Sequence, residues 1–275
     1  MRIDSHQHFW RYHPVKDAWI NDRMQVLKQD FLPTDLEPLL IQHQVDGCVA
    51  VQADQSEQET LFLLELAKQN TFIKGVVGWV DLCAEHVEER LNFFSEFPNI
   101  KGFRHILQAE PNLDFMLSPN FCKGISQLEK YGYSYDLLIY PKHLPFALQL
   151  VQQFPNQKFV IDHLAKPNIK EHLYDEWENG IKAIGKHQNV YCKVSGLITE
   201  ANWNHWTQAD FSFCLDTIVD AFGMDRLMYG SDWPVCLLSG RYDQTISIIT
   251  NYFNQFSKED CAKIEGLTAQ SFYQL

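Results

Sequence analysis

Eight short runs of apolar residues alternate along this chain with longer segments of helical periodicity, and this alternation limits the possible folds more than any other feature. The predicted strands lie at residues 2–9, 45–53, 73–80, 100–107, 133–139, 158–165, 190–197 and 226–233. Several are largely apolar toward their N-terminal ends, which is typical of strands buried on both faces. Strands that alternate with helices form parallel βαβ units. The pattern therefore predicts an α/β protein with a parallel sheet.

The intervening segments have the periodicity of amphipathic helices. They are predicted at residues 36–44, 58–69, 85–97, 119–130, 142–154, 172–187, 210–222 and 242–256. Eight strands with eight crossover helices close naturally into a barrel, although an open sheet would use the same local pattern. No glycine-rich nucleotide loop follows an early strand, and polar residues recur at strand ends all round the chain. We therefore predict a (β/α)8 TIM barrel that forms one domain over residues 1–275.

Composition narrows the expected partners. The chain is 45% hydrophobic and 21% charged, as in ordinary globular proteins, and its net charge of -12 offers no basic face to nucleic acid. We see neither a signal-peptide pattern nor an apolar run of about 18 residues, so no membrane association is predicted. Seven scattered cysteines without a Cys-x-x-Cys pair favour a reducing, cytoplasmic location. A small-molecule substrate is expected, and a homo-oligomer remains open.

Four residues at predicted strand ends have the chemistry of a metal site. His6 and His8 stand two apart on the first strand, so both imidazoles leave one face with Cα atoms about 7 Å apart. His163 ends the sixth strand and Asp232 the eighth. Polar residues at a strand end can simply be hydrogen-bonded there, but four in barrel register favour a functional site. Three imidazoles and a carboxylate suit Zn²⁺ or a similar ion, with a vacant position for water.

Five segments, taken in order, resemble a known family. They are IDSHQHFW at residues 3–10, KGFRH at 101–105, DHLAKP at 162–167, CKVSGL at 192–197 and YGSDWP at 229–234. Together they resemble the amidohydrolase-related TIM-barrel family, specifically its sugar-lactone hydrolase branch of fuconolactonase-like and rhamnonolactonase-like enzymes. The resemblance implies hydrolysis of an L-fucono-, L-rhamnono- or L-galactono-lactone to the aldonate. It also implies that the His and Asp quartet is the reactive centre and that Arg104 faces the substrate.

The resemblance has two departures. Binuclear members of the wider superfamily carry a carboxylated lysine on the fourth strand and a histidine on the fifth, where this chain has Arg104 and Asp136. We therefore expect one divalent ion at most, with Zn²⁺ the first candidate and metal-free hydrolysis as the alternative. Near the C-terminus, Thr268 replaces an asparagine of the family pattern, which we expect to affect a structural hydrogen bond.

Lactone hydrolysis needs a water nucleophile, a base and positive charge near the carbonyl oxygen. We assign Asp232 as the base, while the three histidines polarise the carbonyl directly or through the ion. Rival functions are a metal-dependent decarboxylase or amide hydrolase of the same superfamily, and a barrel that binds a sugar acid or metal without turnover.

Five residues are candidates for substrate binding. The guanidinium of Arg104 can hold an oxygen of the substrate, or it can form a structural ion pair. The aromatic residues can pack on a sugar ring or in the core, and the lysine can reach the substrate or the outer helix layer. The five candidates are Arg104, Trp10, Trp79, Lys193 and Trp233.

Overall fold

Eight parallel strands form one sheet in sequence order in the computed structural model, which describes residues 1–203 and 205–275. The strands are β1 (Ile3–Gln7), β2 (Gly47–Val51), β3 (Ile73–Gly78), β4 (Ile100–His105), β5 (Ser134–Leu137), β6 (Phe159–Ile161), β7 (Val190–Val194) and β8 (Leu227–Tyr229). Just beyond β8 the chain returns to β1, where the His8 amide donates to the Trp233 carbonyl at 2.7 Å. The sheet therefore closes, and the predicted TIM barrel is confirmed.

Each predicted strand and each predicted helix is present. The helices are α1 (Pro33–Gln42), α2 (Glu57–Gln69), α3 (Val87–Phe94), α4 (Pro119–Leu128), α5 (Leu144–Gln153), α6 (Asp175–Ile184), α7 (Leu197–Glu200), α8 (Ala209–Phe222), α9 (Tyr242–Phe253), α10 (Lys258–Ala262) and α11 (Thr268–Tyr273). The strands are shorter than predicted at their C-terminal ends, because the residues beyond the sheet turn into the loops of the barrel mouth. No helix among the described residues has the length and apolar character needed to cross a membrane.

The barrel has two apolar cores. The larger lies between the strands and the surrounding helices, and the smaller lies inside the barrel. Within the smaller core, Val49, Val77 and Val160 pack with Phe272 and Tyr273 of α11. This apolar plug fills one end of the interior, so the polar residues of the strands gather toward the other end.

A bulge in β1 sets which side chains face the interior. Asp4 pairs with Cys48 and Gln7 with Ala50, so β1 contains one residue more than β2 over this stretch. An extra residue reverses the alternation of side chains between the two faces of a strand. Ile3 lies before the bulge and belongs to the inner core. Because of the bulge, the imidazole of His6, three residues further on, reaches the interior as well.

A left-handed turn follows β6. Residues His163, Leu164, Ala165 and Lys166 have φ values of 53°, 54°, 58° and 52°. For residues other than glycine this conformation costs about 1–2 kcal/mol each. Two hydrogen bonds hold the turn, from the Trp177 indole to the Leu164 carbonyl (2.5 Å) and from the Lys166 amide to the His163 carbonyl (2.7 Å).

Candidate active site

The four predicted site residues meet at the C-terminal mouth of the barrel, and all four are buried. His6 Nε2 and His8 Nε2 are 3.2 Å apart. The Oδ1 atom of Asp232 lies 3.4 Å from His8 Nε2, 3.8 Å from His163 Nε2 and 3.9 Å from His6 Nε2. The structure thus brings together groups that are up to 226 positions apart in the chain, from His6 to Asp232.

The donor set fits a divalent cation. Oδ1 of Asp232 is buried and receives no hydrogen bond from any residue that the structure describes, which is costly unless positive charge satisfies it. Zn–N bonds of about 2.0–2.1 Å place two tetrahedral ligands about 3.3 Å apart, close to the separation of the two Nε2 atoms of His6 and His8. Ligand atoms of His6, His8 and Asp232 all lie within 4.8 Å of one another, whereas His163 groups with His6 and Asp162.

The far nitrogen of each imidazole has a partner that orients the ring. His8 Nδ1 lies 2.7 Å from the Val51 carbonyl, to which it donates, and His163 Nδ1 lies 2.8 Å from Ser195 Oγ. His6 Nδ1 lies 3.3 Å from the carboxylate of Asp162. Such partners leave Nε2 of each ring directed at the centre.

Burial keeps two of the imidazoles neutral. It lowers the pKa of His163 to about 4 and the pKa of His6 well below its ordinary value, although neighbouring carboxylates oppose the shift. Burial alone would raise the pKa of Asp232, but His163, His8 and His6 hold the pKa of this carboxyl below its ordinary value. At neutral pH the centre therefore contains an ionised carboxylate beside imidazoles that can bind a cation or accept a proton.

Glycine is required beside two of these rings. A Cβ atom at Gly196, where φ is 66°, would lie 2.7 Å from His163 Nδ1. A Cβ atom at Gly230 would lie 2.6 Å from the Cβ of His6. Any larger residue would displace the imidazole that it meets.

Asp4 connects the strands that carry the centre, a role that the sequence reasoning missed. Its Oδ1 accepts from the amides of Ser231 (2.8 Å) and His6 (3.2 Å), and its Oδ2 accepts from the Tyr242 hydroxyl at 3.1 Å. Burial raises the pKa of Asp4 to about 6, although these donors oppose the shift. The position of Asp4, directly before Ser-His-Gln-His, was the available signal.

Lys193 lies inside the barrel beneath the histidines and is fully buried. Its Nζ is 2.5 Å from Asp136, 3.1 Å from Asp162 and 3.2 Å from His6 Nδ1. In this structure groups of the protein enclose the Lys193 ammonium, so the predicted substrate contact of Lys193 stays a prediction that these contacts do not favour. Tyr273 donates its hydroxyl to Asp136 at 2.9 Å and completes the buried network.

Arg104 is also buried but reaches the centre. Its Nη1 donates to Asp162 Oδ2 at 2.9 Å and lies 3.4 Å from His6 Nε2, while Nη2 donates to the backbone and side chain of Gln52. The ion pair that sequence reasoning weighed against a substrate contact is thus present. The guanidinium nevertheless remains beside the reactive atoms.

The three tryptophan candidates differ in accessibility. Trp10 is 1% exposed, packs edge-on against Phe31 and donates its indole N–H to a backbone carbonyl. Trp233 is 2% exposed and packs against the same phenylalanine. Neither ring offers a free face to a sugar in this structure, which favours the alternative of core packing for both residues. Trp79 is partly exposed, and its indole N–H points to Nδ1 of His105.

The closed parallel barrel carries its buried His and Asp centre at the C-terminal mouth, where TIM-barrel enzymes keep their active sites. The family model described as Amidohydrolase matches residues 3–275, and the chain belongs to this family. It is 38% identical to an L-fucono-1,5-lactonase of Burkholderia multivorans and 33% identical to one of Burkholderia ambifaria, in each case covering 100% of this chain and 96% of the relative.

A solved structure agrees with these relatives. The crystal structure of an amidohydrolase from Burkholderia multivorans with bound zinc superposes with a TM-score of 0.97 at 38% identity, covering 100% of this chain and 99% of that one. Sequence and structure comparisons therefore agree over the whole length of the barrel.

Proposed function

We propose that this protein hydrolyses the lactone of a sugar acid, of the L-fucono-1,5-lactone type, to the open aldonate. The observation that carries the proposal is the convergence of three imidazole Nε2 atoms on the buried Oδ1 of Asp232. Two relatives that are 38% and 33% identical to this chain over its full length bear the L-fucono-1,5-lactonase name. The substrate class comes from those relatives, and the chemistry comes from the site.

Asp232 is the general base in this proposal. Its carboxylate is ionised at neutral pH and its Oδ1 has no hydrogen-bond donor among the described residues, so it can take the proton of a water molecule. The oxygen of that water attacks the carbonyl carbon, the ring C–O bond breaks, and the leaving oxygen takes up a proton. In the metal-free centre, His163, whose Nε2 lies 3.8 Å from Asp232, is placed to exchange protons on this side.

We also propose that His6, His8 and Asp232 hold one divalent ion, with His163 completing the set. When bound there, Zn²⁺ would act as a Lewis acid that polarises a carbonyl oxygen and lowers the pKa of water. The proposal is supported by the ligand separations and by the zinc in the Burkholderia multivorans structure. The guanidinium of Arg104 lies only 3.4 Å from His6 Nε2, and its positive charge repels a metal ion bound at that nitrogen. We therefore expect an ion that a chelator removes readily.

Arg104 has a second consequence for the reaction. Its charge beside His6 is suited to stabilise negative charge on the carbonyl oxygen or on the product carboxylate. This gives hydrolysis a source of electrophilic assistance from the protein itself, which favours activity toward a lactone without an ion.

The test is a panel of sugar lactones assayed by proton release, with metal-free and Zn²⁺-loaded protein side by side. We expect turnover of L-fucono-1,5-lactone by the natural sequence and a fall of roughly 10³-fold or more in kcat for Asp232→Asn, which keeps the shape of the side chain but cannot accept the proton. Near-native turnover by Asp232→Asn would refute the assignment of the base. Carbon dioxide release from aromatic acids without lactone turnover would instead support the decarboxylase.

A further inference from the structure

A second feature lies near the centre along the chain: a surface cavity of about 620 Å³ that the four centre residues do not line themselves. Its walls come from the loops that follow β5, β6 and β7, and they include Tyr140, Lys166 and Glu200. Ligand pockets for small molecules are typically about 300–1,000 Å³, so the cavity is large enough for part of a sugar acid. None of these three residues was predicted from the sequence to have a role.

Lys166 and Glu200 lie side by side on the wall of this cavity. Lys166 Nζ is 3.9 Å from Glu200 Oε1, and the two side chains are 18% and 23% exposed. That separation exceeds the length of a direct hydrogen bond. The ammonium also lies 5.5 Å from the centre of the Tyr140 ring. The pair thus consists of opposite charges that are partly withdrawn from water but leave hydrogen-bonding capacity for a third group.

The backbone fixes this pair next to the reactive atoms. Lys166 is the last residue of the left-handed turn that begins at His163, and its amide donates to the His163 carbonyl at 2.7 Å. Glu200 is the last residue of α7, and α7 begins directly after Gly196, which packs on the His163 ring. The backbone carbonyl of Glu200 accepts from the Lys170 amide at 3.1 Å and so joins the two loops.

Electrostatics give a second sign of this proximity. Burial raises the pKa of Glu200, Lys166 opposes the shift, and Asp232 adds to it. The charge of Lys166 is in turn among the causes that lower the pKa of His163, after burial itself. The cavity and the His and Asp centre therefore lie within one electrostatic neighbourhood.

We propose that Lys166 and Glu200 form the subsite for the hydroxyl groups of the substrate, which determines specificity for polyhydroxylated lactones. A hydroxyl group both donates and accepts, so it can bridge an ammonium and a carboxylate that are too far apart to bond directly. A carboxylate can also accept from two neighbouring hydroxyls. This inference rests on the proposed lactonase function and adds to it the residues that bind the hydroxyl groups of the sugar.

The test compares two substrates of the same ring size, L-fucono-1,5-lactone and the unsubstituted δ-valerolactone. Hydrogen bonds to a charged group correspond to a factor of roughly 10–150 in an equilibrium constant. We expect Glu200→Gln and Lys166→Met to lower kcat/KM for the sugar lactone by about that factor, mainly through KM. For δ-valerolactone, which has no hydroxyl to bind, we expect a change of less than about threefold. The matched control is Glu178→Gln, which removes a surface carboxylate paired with Lys182 on α6 outside the cavity.

Equal losses on both substrates, or no loss on either, would overturn the subsite. Binding of L-fuconate, the reaction product, by calorimetry separates this result from failure of the proposed function. If the natural sequence turns over neither lactone but binds L-fuconate, and the Glu200 and Lys166 variants bind it more weakly, the subsite holds and the lactonase proposal fails. If L-fuconate binds equally to all of them or to none, the subsite is refuted.

Discussion

Replacing Lys193 with methionine tests the electrostatic basis of the centre. Two buried carboxylates, Asp136 and Asp162, contact the Lys193 ammonium, and Arg104 contacts Asp162 from the other side. With two negative and two positive charges the cluster is neutral, and the substitution leaves it with a net charge of -1. Breaking a buried ion pair from one side costs about 3–5 kcal/mol, against a total stability of about 5–15 kcal/mol for a typical domain.

The assay is urea unfolding of the metal-free protein at pH 7, followed by circular dichroism. We expect Lys193→Met to lower the free energy of unfolding by about 3–5 kcal/mol, and Asp136→Asn in the same chain to recover about half of this loss because neutrality returns. The matched control is Lys182→Met, which breaks an exposed pair of 2.7 Å with Glu178 and should cost less than about 1 kcal/mol.

The pH dependence gives an independent check. A carboxyl group left without its counter-charge has a folded-state pKa above its unfolded value, so its contribution to stability is lost as pH rises through the folded pKa. The deficit of Lys193→Met should therefore be small at acidic pH and grow toward neutrality. A loss below about 1 kcal/mol at pH 7, or a double variant no more stable than the single one, would refute this reasoning.

Two further predictions concern His163. Gly196→Ala should lower kcat/KM at least roughly tenfold and stability by about 1–3 kcal/mol, because its Cβ would meet the imidazole at 2.7 Å. The matched control is Gly132→Ala, which has the same left-handed conformation (φ 70°, ψ 19°) and no neighbour within 4 Å, so a thermal melt of this variant isolates the backbone cost. Burial lowers the pKa of His163 from 6.5 to about 4, so the unfolded chain binds more protons between these values and stability falls as pH falls. We expect metal-free protein to lose about 2 kcal/mol more between pH 7 and pH 5 than His163→Asn does, measured by urea unfolding; equal losses would contradict the assignment.

The barrel was predictable because its signal is repeated eight times. Each apolar run followed by a helical segment predicts one strand and one helix, so an error at one boundary does not change the predicted topology. The four centre residues were predictable for a related reason: in a parallel barrel all strands end at one mouth, and position in the chain fixes position in the fold.

The buried charges were harder to predict because the sequence does not show which face of a strand a side chain takes. The sequence around Lys193 is equally compatible with a side chain that points into the barrel and one that points toward the helices. The bulge in β1 that turns His6 inward cannot be recognised from the residue types around it. Trp10 and Trp233 stand at strand ends, as substrate contacts would, but pack on Phe31 from elsewhere in the chain. The turn that places Lys166 was not predicted, because a left-handed turn is normally recognised by glycine or asparagine and residues 163–166 contain neither.

The hand of the turn after β6 also bears on how this barrel could be engineered. A directed-evolution library that randomises residues 163–166 would consist mostly of sequences that cannot sustain consecutive positive φ angles, and an inserted or deleted residue would change the spacing between His163 and Lys166. Tyr140 and Lys142, on the loop after β5, line the same cavity. The φ angle of Tyr140 is -97°, and Lys142 is not among the residues with positive φ. Libraries for new lactones are better built there, with the left-handed turn kept as the fixed part of the scaffold.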